Sequence, residues 1–181
     1  MHGPADGGRL PEGVLVRRLL VHPDSRGRLA EMFREEWPGG IHAVQWNVVR
    51  SAPGVLRGVH VHPRHDDYLV VIDGHASIGL RDLRRDSPTG NLAAVVELSG
   101  DDPVAITIPA GVAHGFYFHS PSLHVYATTH YWDPADELGC HWADPELGIG
   151  WPAARAIVSE RDERLPSLSE LVDRLVPAPL D

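Results

Sequence analysis

The chain has no lysine; all 16 of its basic residues are arginine. Chemistry that needs a side-chain amine, such as a Schiff base, is excluded. Cysteine is nearly absent, and a single thiol, Cys140, cannot form an intramolecular disulfide. No stretch approaches the roughly 18–20 consecutive apolar residues of a spanning helix. Met1–Pro11 has no apolar run of the kind that marks a secretory signal. Positive charge is scarce too: 25 acidic residues give a formal net charge of −9. A general nucleic-acid or acidic-membrane binder would show a basic footprint instead. These absences predict a cytoplasmic protein with neither a nucleic-acid nor a membrane partner.

What is abundant is histidine, 12 residues, which keeps acid–base catalysis and metal binding open. The 181 residues suit one domain, 1–181, with a core over about 14–152 and a tail over 153–181. Glycine (18) and proline (16) are scattered and punctuate short apolar runs. That pattern predicts an all-β sandwich or barrel. Strands are predicted over 13–21, 43–50, 56–62, 68–72, 75–82, 92–98, 104–108, 113–118 and 123–131. Asp73-Gly74 reads as a hairpin turn. Asp86-Ser-Pro-Thr-Gly90 reads as a turn whose dihedrals Pro and Gly set. A short helix is predicted over 28–36. A better-marked one starts at the Ser167-Leu-Ser-Glu170 capping box, continues through Leu171, Val172 and Leu175, and stops at Pro177. Its apolar spacing suits packing, not chemistry.

The densest chemistry lies in two segments. The first places Gly54, His60, His62, Asp67 and Gly74 at the spacing of the first cupin motif, with Asp for the usual Glu. The second places Pro109, Gly111 and His114 as in the second motif, with Phe118 where that motif ends in Asn. Residues two apart on a strand share a face, so His60 and His62 point the same way. The resemblance implies a double-stranded β-helix, a jelly-roll-like barrel, here with a short C-terminal helix. One reading of the motifs is a metal site of His60, His62, Asp67 and His114, a donor set suited to Fe, Mn, Zn or Ni.

Other landmarks give a second reading. They are Asp24-Ser-Arg26-Gly-Arg-Leu29-Ala-Glu31, Gln45-Trp-Asn47, Arg57-Gly-Val-His60, Val125-Tyr126-Ala-Thr-Thr-His-Tyr-Trp132, Trp142-Ala-Asp-Pro-Glu-Leu-Gly-Ile-Gly-Trp151-Pro and Ser159-Glu-Arg-Asp162. In this order they resemble the dTDP-4-dehydrorhamnose 3,5-epimerase family of metal-free cupins, from about Val14 to Ser169. The resemblance implies epimerisation beside the ketone of a nucleotide-linked 4-keto-6-deoxy sugar, through an enolate and without a cofactor. It implies His60 as base, Asp162 as the carboxylate that orients it, and Tyr126 as acid on the opposite face. Arg57, His62 and His114 would line the sugar site. Arg26, Glu31, Gln45, Asn47 and Trp132 would hold the dTDP portion, Arg26 and Glu31 across a homodimer interface. Arginine suits a diphosphate because its planar fork meets two oxygens.

The resemblance breaks at one mechanistic position. The family usually places a lysine on the strand after the histidine, where it can hold the enolate oxygen; here Asp67 aligns with it. Leu29 also stands where the family has an aromatic. Arg57-Gly-Val-His60-Val-His62 resembles a stretch of dTDP-sugar 3,4-ketoisomerases as well. Ketone transposition, a metal-dependent cupin and a non-catalytic sugar-binding cupin therefore stand as alternatives. Strict alternation sets Arg57 on the face opposite His60, unless a bulge at Gly58 brings both inward.

Overall fold

The computed structural model describes residues 8–175. Short strands build two five-stranded sheets and a separate two-stranded hairpin. The strands are β1 (Leu15–Arg18), β2 (Val21–Asp24), β3 (Gly27–Ala30), β4 (Gln45–Ser51), β5 (Leu56–Val61), β6 (Asp67–Asp73) and β7 (His75–Asp82). They continue as β8 (Ala93–Ser99), β9 (Val104–Ile108), β10 (Val112–Phe118), β11 (Ser122–Thr128) and β12 (Leu138–Gly139). One sheet has the order β1-β9-β6-β11-β4 and the other β12-β5-β10-β7-β8, with all the pairings antiparallel. This is the all-β jelly-roll-like barrel that the motifs predicted.

The core lies between the sheets. Leu69 and Val71 of β6 meet Ile78 and Leu80 of β7, Val96 and Leu98 of β8 and Ile106 of β9 there. Tyr68 and Val70, which alternate with them on β6, are buried on the outer face against Leu19, Ile41 and Ala105. Burial on both faces explains why Tyr68–Val71 is a continuous apolar run; Ile72, at its end, is exposed. The outer face of the second sheet is covered as well. Val59, Val61 and Ala113 pack there against Leu147, Leu168 and Leu171. The last two belong to α2 (Leu168–Leu175), whose capping box forms: Glu170 accepts from the Ser167 N–H (2.9 Å) and Ser167 Oγ from the Glu170 N–H (3.3 Å). Pro177 lies outside the described residues. Among the described residues no helix is long and apolar enough to cross a membrane.

Three local expectations are corrected. The helix over 28–36 does not form. Val21–Asp24 and Gly27–Ala30 instead pair as a hairpin, whose turn Asp24 closes by accepting from the Arg26 N–H at 2.7 Å. Met32, Phe33 and Trp37 then pack irregularly on the outer cluster, Phe33 edge-on to Tyr68 at 5.0 Å. Nor is 13–21 one strand, because β1 ends at Arg18 and the chain turns into the hairpin. Asp73-Gly74 is not a hairpin. β6 and β7 lie in different sheets, so this turn is the corner where the chain crosses between them. Gly74 has φ +86, and a Cβ there would strike Ser122 and the Pro121 carbonyl.

Candidate active site

A cavity of about 460 Å³ opens at one end of the barrel. His60 reaches it from β5, and Asp162 from α1 (Glu160–Glu163), a single helical turn. Backbone pairing brings that turn to β5. Ile157 donates to Gly54 O (2.8 Å) and accepts from the Leu56 N–H (2.9 Å). Ser159 caps the helix, its Oγ accepting from the Asp162 N–H at 3.0 Å. The result places His60 Nε2 2.8 Å from Asp162 Oδ1. Asp162 is buried, 5 % exposed, although its sequence context is a charged turn. Burial alone would raise its pKa. Hydrogen bonds from His60, the Gly58 N–H and Ser159 outweigh that and hold the carboxyl below the ordinary range. With Asp162 ionised, His60 Nε2 is the donor and Nδ1 keeps a lone pair, the arrangement of a general base.

Arg57 lines the same cavity as His60, against strict alternation. The register against β10 shows how: His60 faces His114 while Arg57 faces Phe116, so β5 carries one extra residue. The bulge centres on Gly58, with φ +118, where a Cβ would come within 2.8 Å of Gly115 Cα and the His114 carbonyl. Arg57 Nε donates to Ser51 Oγ at 3.0 Å, which steadies the guanidinium.

β11 supplies His124, Tyr126 and Thr128, and His130 and Trp132 follow. The strand ends at Thr128, short of the predicted Tyr131, yet all of these side chains line the cavity. Burial first, then the Asp67 and Glu137 carboxylates, push the Tyr126 hydroxyl upward. It is a neutral proton donor at neutral pH. Gln45 also lines the cavity. Its Oε1 accepts from the Trp132 N–H (2.9 Å), and its Nε2 donates to Asn47 Oδ1 (3.1 Å). Asn47 thus sits beside the cavity through Gln45. Arg26 and Glu31 do not line it. Both are exposed on or beside the β2–β3 hairpin, Arg26 paired with Asp24 and Glu31 with Arg34, each at 2.6 Å.

The cavity floor is unlike its rim. His62, His65, His114 and Asp67 are all buried there. Burial, then neighbouring His65, lowers His62 to about 4. Burial, then His62, lowers His114 well below its ordinary value. Burial, then Glu137, raises the Asp67 carboxyl. Ligating atoms of His62, Asp67 and His114 lie close enough together to share one ion, as do those of His62, His65 and Asp136. His60, counted with the metal set on motif grounds, belongs to neither group and turns to Asp162. A third such group, His75, Glu97 and His119, lies outside the cavity.

Sequence reasoning did not single out His124, Glu137 or Arg161. His124 was legible, being two residues before Tyr126 on the same face. Glu137 and Arg161 pair at 3.3 Å on the cavity wall, the first from a loop and the second from α1, which no local pattern signals.

A family model described as dTDP-4-dehydrorhamnose 3,5-epimerase matches residues 10–170. The chain belongs to the dTDP-4-dehydrorhamnose 3,5-epimerase family. A family member named dTDP-4-dehydrorhamnose 3,5-epimerase, from Pseudomonas aeruginosa, is 38% identical over 163 residues, 83% of this chain and 88% of its own. The spore coat polysaccharide biosynthesis protein SpsL of Bacillus subtilis is 36% identical over 144 residues, 77% of this chain and 95% of its own. Among solved structures, a double mutant of ChmJ, a 3'-monoepimerase from Streptomyces bikiniensis in complex with dTDP, superposes with a TM-score of 0.84. It shares 29% identity and covers 99% of this chain and 93% of its own.

Proposed function

We propose that the protein is an isomerase that epimerises a dTDP-linked 4-keto-6-deoxy sugar at C3, C5 or both. Family membership supports the substrate class, and the His60–Asp162 pair beside Tyr126 in one cavity carries the mechanism. The ketone acidifies the neighbouring C–H. His60 Nδ1 takes the proton, and Asp162 stabilises the imidazolium that forms. Tyr126 returns a proton to the other face of the enolate. The Arg57 guanidinium offers positive charge for the oxygen where negative charge develops.

The nucleotide portion belongs at the rim, where Gln45 and Trp132 stand; the Trp132 ring is 61% exposed and free to stack on a base. The exposed β2–β3 hairpin supports a homodimer in which Arg26 and Glu31 reach the neighbouring cavity. Leu20 and Leu29, 71% and 62% exposed, are apolar surface for that contact. A single domain in the cytoplasm fits the buried Cys140, whose thiol burial pushes up to about 12.

Incubation with dTDP-4-keto-6-deoxyglucose in deuterated water, followed by NMR, tests the reading. Deuterium at C3 and C5 is the result expected of a 3,5-epimerase, and deuterium at C3 alone of a 3-epimerase. A 3-keto product would replace epimerisation by ketone transposition. No exchange, with dTDP still bound, would leave a non-catalytic sugar-binding barrel.

A further inference from the structure

Towards its β8 edge, the outer face of the second sheet carries a cluster that the cavity chemistry does not use. Ala76 and Ile78 of β7 enter the core, so His75 and Ser77, which alternate with them, face outward. Val96 and Leu98 of β8 and Phe118 of β10 are core residues too. Glu97 and Tyr117 therefore share the outer face with Ser77, and the register sets both opposite it. His119 follows β10, and its N–H donates to the His75 carbonyl at 2.9 Å. Three adjacent strands thus bring His75, Glu97 and His119 together, and none of the three lines the cavity.

Their ligating atoms all lie within 4.8 Å of one another. Glu97 Oε2 is 2.9 Å from His75 Nε2 and 3.6 Å from His119 Nε2. Atoms about 2.0–2.2 Å from a first-row ion stand about 2.8–3.1 Å apart at right angles and about 3.3–3.6 Å apart in a tetrahedron. The two separations fall at those values. The imidazoles stack at 4.4 Å and 17°, side by side, with both Nε2 atoms beside the same carboxylate oxygen.

The surroundings prepare that oxygen. Ser77 is fully buried and donates its hydroxyl hydrogen to Glu97 Oε1 at 2.6 Å. This fixes one carboxylate oxygen and leaves Oε2 for a ligand. Oε2 is itself buried and has no hydrogen-bond partner among the described residues. A buried carboxylate oxygen without a partner is costly, and a cation supplies one. Ser77 Oγ also lies 2.7 Å from His119 Nε2. Having given its one hydrogen to Glu97, it accepts from an Nε2–H. With the ring hydrogen on Nδ1 instead, Nε2 presents a lone pair to an ion. Tyr117 holds the His119 ring edge-on at 5.2 Å.

We infer that His75, Glu97 and His119 hold one divalent transition-metal ion on the outer face of the sheet, with water completing its coordination. Two imidazoles and a carboxylate suit Zn²⁺, Ni²⁺, Cu²⁺ or Co²⁺. The ion ties β8, the edge strand, to β7 and to the end of β10. It is a structural clip outside the cavity, and it does not rest on the epimerase reading.

The untagged full chain, freed of metal by chelator and dialysis, is titrated with NiCl₂ in a calorimeter. One equivalent binds per chain, and the thermal midpoint rises with Ni²⁺ concentration. His75→Gln, His119→Gln and Glu97→Gln each weaken binding at least about tenfold, the scale on which even residues behind a ligand act. Circular dichroism establishes the fold of each variant first. His62→Gln, in the cavity, leaves Ni²⁺ binding unchanged. Cu²⁺, added as a paramagnetic probe, broadens the imidazole proton signals of His75 and His119 and spares those of His62 and His114. No saturable Ni²⁺ binding to the folded wild type overturns the site. So does binding that survives the three surface variants but is lost in His62→Gln, or broadening confined to His62 and His114, because the ion then sits in the cavity.

Discussion

His60 Nε2 and Asp162 Oδ1 lie 2.8 Å apart although 102 positions separate them in the chain. The bond orders the imidazole, because an ionised carboxylate at Nε2 leaves Nδ1 without its proton. Asp162→Asn presents an amide whose NH₂ can donate to Nε2 and thereby shift the ring proton to Nδ1. The fold is retained, and kcat and substrate deuterium exchange fall together by about 10²–10⁴-fold, the range of one general base. Wild-type exchange in the folded variant would show that Asp162 does not orient the base.

Tyr126 is separable from the base. Its hydroxyl stays protonated because burial, and secondarily the carboxylates of Asp67 and Glu137, disfavour the phenolate. Tyr126→Phe removes the donor and leaves His60 and Asp162 in place. Substrate deuterium exchange by the base continues, while epimerised product falls by about 10²–10⁴-fold. The measured quantity is the ratio of exchange to product. An unchanged ratio, with both rates equally reduced, would assign Tyr126 to binding.

Gly58 carries the geometry that lets Arg57 and His60 share one cavity. A methyl group there meets backbone on the neighbouring strand at 2.8 Å on two sides, and φ +118 disfavours any side chain. Gly58→Ala destabilises the protein by about 1–3 kcal/mol. It also lowers activity beyond the loss in folded fraction, because the bulge must shift. A thermal melt and kcat on the folded fraction check both. An alanine variant with native stability would mean that the bulge does not depend on glycine.

Much of this was legible in the sequence, for reasons that can be named. Alternation placed Tyr126, Thr128, His130 and Trp132 on one face, and spacing gathered His60, His62, Asp67 and His114 at one barrel end. Turn chemistry at Ser87-Pro-Thr89 was visible too. What anchors that turn was not: Asp82 lies five positions upstream of Ser87 and accepts from Ser87 Oγ (2.6 Å) and Thr89 Oγ1 (2.7 Å). Asp73-Gly74 shows a further limit, since the same dipeptide serves a hairpin or a corner between sheets and only the pairing partners distinguish them. The segment over 28–36 failed because residues far along the chain, Tyr68 among them, hold Met32 and Phe33 in an irregular path. Asp67 at the usual lysine position read as a loss. In the fold it stands among three imidazoles, a set completed by His65, which neither motif contains.

His124 sets part of the acid stability. The ring is 2% exposed, stacked on Phe118 at 5.2 Å, and its Nδ1 has no hydrogen-bond partner among the described residues. Burial, and secondarily the Arg57 charge, lower its pKa to about 4. The unfolded chain takes up this proton near pH 6.5, and the folded chain refuses it down to about 4. Between those values the unfolded state binds more protons, so stability falls as pH falls, by about 1.4 kcal/mol per pH unit for this group. His124→Phe keeps a flat ring in the stack and removes the titration. The variant gains about 2 kcal/mol relative to wild type on going from pH 7.5 to pH 5, read from denaturant unfolding at each pH. Parallel pH dependence of the two proteins would show that His124 does not resist protonation in the folded state.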